Sequence, residues 1–171
     1  MKVKEISPEE YHPYFKPYIE KVGNKSLLKS LKKGKKATIS FFKKIPKEKL
    51  EYRYEEGKWT IKDILLHIVD AERAFNYRAL QFARSKEANL EGFDENEFVA
   101  NAEANSRSVK SLLKEYNAVR NSTIQLYKSF SKETLKRTGT ANNTSLSVRA
   151  AGFLACGHEI HHKQIIKERY L

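Results

Sequence analysis

Histidine is the residue type whose spacing in this chain points most directly to metal chemistry. Three of the five histidines lie within one five-residue stretch, at positions 158, 161 and 162. On an α-helix, His158 and His162 share a face because residues four apart lie one turn above each other, so both imidazoles can ligate one divalent ion. His67 stands in the apolar stretch 64–71 and is expected on the inward face of another helix. The sequence therefore predicts a metal site at His67, His158 and His162, with a further position open for a ligand.

Each histidine also has a simpler interpretation. A single histidine on an apolar helix face is usually a hydrogen-bonded core residue, and this applies to His67 taken by itself. His161 projects from a different face than His162 and is expected beside the metal site or at the surface, while His12 is expected to be exposed. A helical bundle whose histidines no longer bind metal is therefore an alternative to the metal site.

Residues 158–162 also match the pattern H-E-x-x-H, in which metalloproteases use the glutamate as a general base. Many such enzymes take a third metal ligand further along the chain, but only nine residues follow His162, and among them Glu168 alone could serve. No strand is predicted that could align a peptide substrate. A peptidase is therefore disfavoured, although Glu159 stays a candidate for acid or base catalysis.

Carboxylates and aromatic residues near His67 could complete the site. Asp63 lies one helical turn before His67 and Asp70 about one turn after it, so either could orient the imidazole, and Asp63 is also a catalytic candidate. Trp59 and Tyr77 could line a substrate pocket, although packing in the core explains them equally well. No residue is assigned to the binding of a cofactor other than the metal.

The single cysteine, Cys156, bounds both the chemistry and the location of the protein. One thiol cannot form an internal disulfide, which favours a reducing compartment, and Cys156 is expected to be a small buried hydrophobic residue rather than a nucleophile. The N-terminal residues contain no apolar stretch typical of a signal peptide, and no segment has the roughly 18 apolar residues of a membrane span. We therefore expect a cytoplasmic protein without membrane association.

Most of the positive charge lies in one segment. The chain has a formal net charge of +12, and residues 21–49 contain eleven lysines but one acid, Glu48. This segment is expected to form a basic face on the first long helix, which suggests nucleic-acid or anion binding as an alternative function. Aromatic side chains for base stacking are few there, since Phe41 and Phe42 fit core positions, so a nucleic-acid partner is disfavoured.

Capping residues and hydrophobic periodicity predict where four long helices begin and end. Thr60 and Asp63 form a capping box at the start of the second helix, and Gly34 is expected to weaken the middle of the first. The last helix is expected to begin at Ser145 or Ser147. The four helices are predicted at approximately residues 24–45, 60–85, 106–130 and 145–169, the first being capped by Asn24 and ended by Pro46.

Between these helices the sequence is richer in polar and turn-forming residues. Residues 1–23 are expected to be irregular or at most briefly helical, residues 95–104 to form a short helix, and residues 138–143 to be a polar break. Seven glycines and four prolines are few for a β-sandwich or barrel, which needs many turns. The sequence thus predicts one all-α domain over residues 1–171, built as a four-helix bundle.

Two blocks of sequence together resemble the DinB/YfiT-like superfamily, and their order and spacing carry the resemblance over roughly residues 20–171. The resemblance implies an up-down-down-up four-helix bundle in which His67, His158 and His162 hold a divalent metal, often zinc or nickel. The blocks are residues 57–73 (GKWTIKDILLHIVDAER) with 77–78 (YR) and 90–95 (LEGFDE), and residues 147–150 (SVRA) with 157–162 (GHEIHH) and 168–171 (ERYL).

The resemblance also implies a range of reactions. Members of the superfamily include thiol-dependent S-transferases that use bacillithiol or mycothiol, and a mycothiol-dependent maleylpyruvate isomerase. By analogy we expect a metal-dependent enzyme, a transferase similar to the bacillithiol transferases or a related hydrolase or isomerase. Its partners would be a small-molecule electrophile, a low-molecular-weight thiol or both, and the chain would form a homodimer, as many members do. The superfamily name does not imply DNA binding.

Overall fold

A computed structural model of the protein describes residues 1–171. Its helices are α1 (Lys16–Glu20), α2 (Leu27–Lys43), α3 (Ile61–Arg84), α4 (Glu95–Asn101), α5 (Val109–Ser129) and α6 (Val148–Arg169). Its strands are β1 (Asn89–Leu90), β2 (Thr138–Ala141) and β3 (Thr144–Ser147). The four long helices that the sequence predicts are therefore present, as α2, α3, α5 and α6. None of the six helices carries an apolar stretch of the length that a bilayer crossing requires.

Local capping signals place the start of three long helices. Thr60 caps α3 through the predicted capping box, since its Oγ1 accepts from the Asp63 backbone N–H at 3.0 Å and its own N–H donates to Asp63 Oδ2 at 2.8 Å. Ser147 caps α6 by accepting from the Ala150 N–H at 3.1 Å, so it is the one used of the two predicted caps. Ser108 caps α5, slightly after the predicted start of that helix.

The start of α2 corrects the prediction. Asn24 does not cap this helix, which begins at Leu27 after Ser26. Gly23 turns the chain with a φ of +65°, and Ser26 then forms a β-bridge with Lys2 near the N-terminus. The pairing with Lys2 cannot be predicted from the residues around Ser26, because Lys2 is distant in the sequence. It holds Ser26, the residue before the helix, in an extended conformation.

The four long helices pack as a closed ring, in which α3 contacts α5 and α6, and α2 contacts the same two helices. α2 and α3 therefore lie diagonally across the bundle. Gly34 lies in the middle of α2 without interrupting it. A Cβ atom added at Gly34 would collide with Oε1 of Glu159, so this glycine leaves space between α2 and α6 for a buried carboxylate.

Residues 138–147, predicted as a polar break and a helix cap, form a β-hairpin instead. β2 and β3 pair antiparallel with Thr138 opposite Ser147, and β1 adds to β2 in parallel, which makes a three-stranded sheet in the order β1-β2-β3. Asn142 and Asn143 form the turn with φ of 51° and 57°, a left-handed conformation that asparagine tolerates well. The all-α prediction is thus incomplete, because strands this short carry too little hydrophobic alternation to be recognised.

The N-terminal segment is more ordered than the sequence predicts. Residues 1–23 contain three short 3-10 turns and α1. α1 packs against α6 at Gly157, where an added Cβ would collide with the backbone oxygen of Tyr18. Ile19 of α1 is fully buried in the core. The N-terminal segment thereby brings Tyr18 and His12 close to the helix that carries two of the predicted metal ligands.

Candidate metal centre

The three predicted metal ligands come together in the structure. His67 lies on α3, and His158 and His162 lie one turn apart on α6, which packs against α3. His158 Nε2 is 3.1 Å from His67 Nε2 and 3.0 Å from His162 Nε2. One nitrogen from each imidazole lies within 4.8 Å of the other two. These three residues, called the histidine cluster below, are close enough together to share one ion.

Burial keeps the three imidazoles neutral near pH 7. It lowers the pKa of His67 to about 4, and it lowers the pKa of His158 and of His162 well below the usual range. Neighbouring imidazoles add to the effect at His158 and His162, because a second positive charge nearby would be unfavourable. Metal binding needs neutral imidazoles with free lone pairs, so this environment suits a metal site.

The nitrogen positions fit a divalent ion better than they fit hydrogen bonding among the histidines. His158 Nε2 faces two imidazole nitrogens, and because it carries one proton or one lone pair it can satisfy only one of them. Three nitrogens around a tetrahedral zinc ion would lie about 3.3 Å apart, close to the two separations from His158 Nε2. The histidine cluster can therefore supply three ligands, which leaves a fourth position for a ligand from the pocket.

The histidine cluster forms part of the wall of a cavity of about 490 Å³, which Phe75 and Leu154 line with apolar surface. Trp59 lies beside the cluster, with its ring centroid 4.7 Å from that of His67, and it has both of the roles expected of it, since it lines the pocket and packs against the core. Tyr77 is 54% exposed and lies outside the cavity, so it has neither of the two roles expected of it, in the pocket or in the core.

Residues of the N-terminal segment close one side of this cavity. The ring of Tyr18 is 6.0 Å from that of His158 and 5.0 Å from that of His161. His12 is exposed as predicted, lines the cavity and accepts a hydrogen bond from the Tyr14 N–H at 3.3 Å. His161 is half-buried against Tyr18, and its nitrogens lie outside the histidine cluster. The expectation that His161 lies beside the site is met.

The two aspartates expected to orient His67 are engaged elsewhere. Asp63 caps α3 and accepts a further hydrogen bond from Asn105 Nδ2 at 2.9 Å. Asp70 accepts from Arg73 Nη1 at 2.9 Å near the protein surface. Neither carboxylate forms a hydrogen bond with an imidazole of the cluster. The structure thus places Asp63 as a helix cap, which does not support its candidate role in catalysis.

Glu159, the other catalytic candidate, lies in a buried hydrogen-bond network. Its carboxylate accepts from Tyr116 Oη at 2.6 Å, from Thr38 Oγ1 at 3.0 Å and from the Arg120 guanidinium at 3.0 and 3.2 Å. Arg120 also binds both carboxylate oxygens of Glu72, at 2.7 and 2.8 Å. Glu159 is therefore occupied by structural donors and does not line the cavity, which argues against H-E-x-x-H chemistry.

Glu72 and Arg120 are absent from the sequence prediction, although Arg120 carries a recognisable signal. It falls four residues after Tyr116 and four before Ile124, on the helix face predicted to form the core. A charged residue at such a position is almost never buried unless it is paired. Its partners could not be identified from local spacing, because Glu72 and Glu159 lie on other helices.

Cys156 lies two residues before His158 on α6, within an apolar part of the core. Burial raises the pKa of its thiol, so the reactive thiolate is disfavoured. The expectation of a small buried hydrophobic residue is confirmed, and Cys156 takes no part in the candidate site.

A second cavity, of about 750 Å³, lies beside the basic segment and shares no residue with the first. Six of its 13 lining residues are hydrophobic, and five are lysines. Lys62 pairs with Glu51 at 2.7 Å, whereas the other four form no ion pair. This lysine-lined groove places part of the predicted basic face next to apolar surface. The four unpaired residues are Lys43, Lys47, Lys110 and Lys114.

Known proteins with a similar sequence profile or structure support the four-helix fold described above. The sequence profile of the DinB superfamily matches residues 30–166. Among solved structures, YfiT from Bacillus subtilis matches with a TM-score of 0.75 at 15% sequence identity, covering 83% of this chain and 82% of that one. YfiT is described as a probable metal-dependent hydrolase with an unusual four-helix bundle topology. No curated protein matches the chain.

Proposed function

The chain belongs to the DinB superfamily, and we propose that it is an enzyme that uses one divalent metal ion held by His67, His158 and His162. The observation that carries the proposal is the convergence of three neutral imidazoles, from two helices, in the wall of a cavity large enough for a small molecule. Zinc and nickel are the metals we propose, since both are well suited to imidazole ligands.

The chemistry follows from the fourth coordination position of the ion, which the three imidazoles leave open to a ligand from the pocket. When bound, the ion would act as a Lewis acid that lowers the pKa of a water or thiol group. The imidazoles carry no charge of their own, so they would not neutralise the ion. Phe75 and Leu154 give the cavity apolar walls that limit its hydration, and Trp59 offers a flat surface against which a substrate can pack.

Two nucleophiles suit this site, and they define two classes of reaction. With water the enzyme would be a hydrolase, which is how YfiT is described. With a low-molecular-weight thiol it would be an S-transferase acting on a small electrophile, or an isomerase that uses the thiol as cofactor, as the family resemblance implies. Glu159 and Asp63 serve neither reaction as acid or base, because structural donors already engage both carboxylates.

Metal content tests the proposal directly. Protein purified without a histidine tag should retain about one zinc or nickel ion per chain, and His158→Ala should retain almost none, as measured by inductively coupled plasma mass spectrometry. His161→Ala is the matched control, because it removes an imidazole outside the cluster and should keep the metal. Negligible metal in the wild-type protein, even after incubation with zinc and nickel salts, would refute the proposal.

Activity measurements separate the two reaction classes. The zinc-loaded protein is assayed with monochlorobimane in the presence and absence of a thiol, and with p-nitrophenyl acetate in the absence of thiol. Thiol-dependent fluorescence identifies an S-transferase, whereas ester cleavage without thiol identifies a hydrolase. In both cases the His158→Ala variant should lose the activity.

The lysine-lined groove supports a second candidate function, the binding of an anionic partner. Its four unpaired lysines line the cavity together with six hydrophobic residues. A nucleic acid is one such partner, and its binding would weaken steeply with salt because lysines displace counterions from phosphates. Titration of labelled single- and double-stranded DNA at low and moderate salt tests this partner, and a lack of binding at low salt would exclude DNA.

We also propose a cytoplasmic location, a homodimer and an up-down-down-up order of helices. The lone cysteine supports the location, and the family resemblance supports the dimer and the helix order. Light scattering at several protein concentrations measures the mass of the particle. A mass equal to that of one chain would contradict the dimer.

A further inference from the structure

Arg78 is the one buried arginine of this protein without an acidic partner. Three arginines are buried, and the other two, Arg120 and Arg149, both pair with glutamates. Arg78 is only 8% exposed, yet its guanidinium forms neither an ion pair nor a hydrogen bond with another residue. Its nitrogens are not among the fully buried side-chain atoms without a partner, so the stem is buried while the unpaired guanidinium still reaches solvent.

The unpaired guanidinium lines the same cavity as the histidine cluster. Arg78 follows His67 by eleven residues on α3, which is close to three full turns, so both side chains project from the same face of the helix. The ring of Phe93 packs against the guanidinium, with a distance of 6.0 Å to its centroid. Asn142 and Thr144 of the hairpin add polar groups to the cavity wall.

The surroundings of Arg78 favour an anion from outside the protein. Burial lowers the pKa of Arg78, but arginine stays protonated at neutral pH because its intrinsic pKa is so high. One acidic residue lines the cavity, Glu95, and it is exposed and forms no ion pair with Arg78. An incoming anionic group would therefore meet a guanidinium that folding has already partly desolvated, and a planar carboxylate matches its geometry.

We propose that Arg78 binds the carboxylate of an acidic small-molecule substrate whose reacting group lies at the histidine cluster. This inference rests on the proposed function, because it places the other end of the substrate at the metal site. The rise of an α-helix puts the Cα atoms of residues 67 and 78 about 16 Å apart, and helical side chains lean toward the N-terminal end. A substrate with roughly 10 Å between its carboxylate and its reacting group would span the cavity.

Binding of hexanoate and of hexan-1-ol, to the metal-free and the zinc-loaded protein, tests the proposal. The two probes share an apolar chain and differ in the carboxylate. The wild-type protein should bind hexanoate about tenfold or more tightly than hexan-1-ol, as measured by NMR titration, and the Nε–Hε signal of Arg78 should shift with hexanoate. In Arg78→Gln the two affinities should agree within about twofold. Arg84→Gln removes an exposed arginine from the same helix and should behave as the wild type.

Two further comparisons keep the result interpretable. Arg78→Lys retains the charge and should keep most of the preference for hexanoate, which separates anion binding from a role in folding. Equal affinity of the wild-type protein for both probes, or an equal loss in both glutamine variants, would overturn the proposal. The metal-free titration separates it from the proposed function, since a protein that binds no zinc but prefers hexanoate through Arg78 would support the anion site and refute the metal site.

Discussion

Two groups of buried polar residues lie in the same bundle, and their hydrogen bonding differs. In one group Arg120 pairs with Glu72 and Glu159, and Tyr116 and Thr38 also donate to the Glu159 carboxylate. In the other, the histidine cluster, three imidazole nitrogens face one another and no carboxylate binds them. The first group satisfies its own hydrogen bonds, whereas the second leaves imidazole nitrogens that cannot all be paired with one another and that the proposed ion would engage.

This difference separates structural from functional polar residues in the bundle. Removal of one member of a satisfied buried network leaves the others unpaired, so the free energy of unfolding should fall. Removal of a residue that lacks a protein partner should instead weaken the binding of a ligand. By this criterion Arg78 belongs with the histidine cluster, because it too has no partner within the protein.

Replacement of Arg120 should have the largest effect. Arg120→Met leaves Glu72 and Glu159 buried without a counter-charge, so the free energy of unfolding should fall by about 3–5 kcal/mol. Urea denaturation followed by circular dichroism measures this change. Lys114→Met removes an exposed charge from the same helix and should change stability by less than about 0.5 kcal/mol. Equal stability of the two variants would contradict the structural role of the network.

Replacement of His67 should affect metal binding more than folding. His67→Ala should weaken zinc affinity by about a hundredfold or more, since the loss of a direct ligand costs more than the loss of a residue behind it. The stability of the metal-free protein should change by less than about 1.5 kcal/mol, because lost packing and the relief of an unsatisfied polar group act in opposite directions. Competition with a chromophoric chelator measures the affinity. Unchanged zinc affinity would place His67 among the structural residues.

Gly34→Ala should lower stability, although helix propensity alone predicts the opposite sign. The added Cβ collides with Oε1 of Glu159, so the free energy of unfolding should fall by about 1–3 kcal/mol. Thermal or urea denaturation measures the change. The same substitution in a Glu159→Ala background should cost much less. A stabilising effect of Gly34→Ala in the wild-type background would show that Glu159 is not packed as the structure describes.

Acid should destabilise the metal-free protein. For each pH unit the expected loss of stability is smaller than the effect of the substitutions above. Burial lowers the pKa of His67 from 6.5 to about 4, so between these values the unfolded chain binds more protons than the folded protein. This contribution to stability is full above about pH 6.5 and is lost as the pH falls toward about 4, at about 1 kcal/mol per pH unit. Urea denaturation at two pH values within this window measures the slope. A slope that His67→Ala leaves unchanged would argue against the buried, neutral imidazole.

Apart from the meeting of His67 with His158 and His162, which the family resemblance implied, the features that sequence reasoning predicted correctly depend on residues within about one helical turn. The capping box of Thr60 and Asp63 is such a feature, and so is the shared face of His158 and His162. The hairpin at residues 138–147 was missed because its short strands carry too little hydrophobic alternation, and β1, which pairs with β2, lies far away on the connection after α3. Local patterns carry no information on such a partner.

The sequence by itself determined the four long helices and the common face of His158 and His162, because backbone capping and helical periodicity act over a few residues. Only the tertiary structure decided that His67 meets those two imidazoles. It also decided that the side chain of Glu159, which is next to a predicted ligand in the sequence, points into the core and pairs with Arg120. Arg78, in contrast, has no partner within the protein. These outcomes depend on which helix faces pack together, and that is set by contacts between segments far apart in the chain.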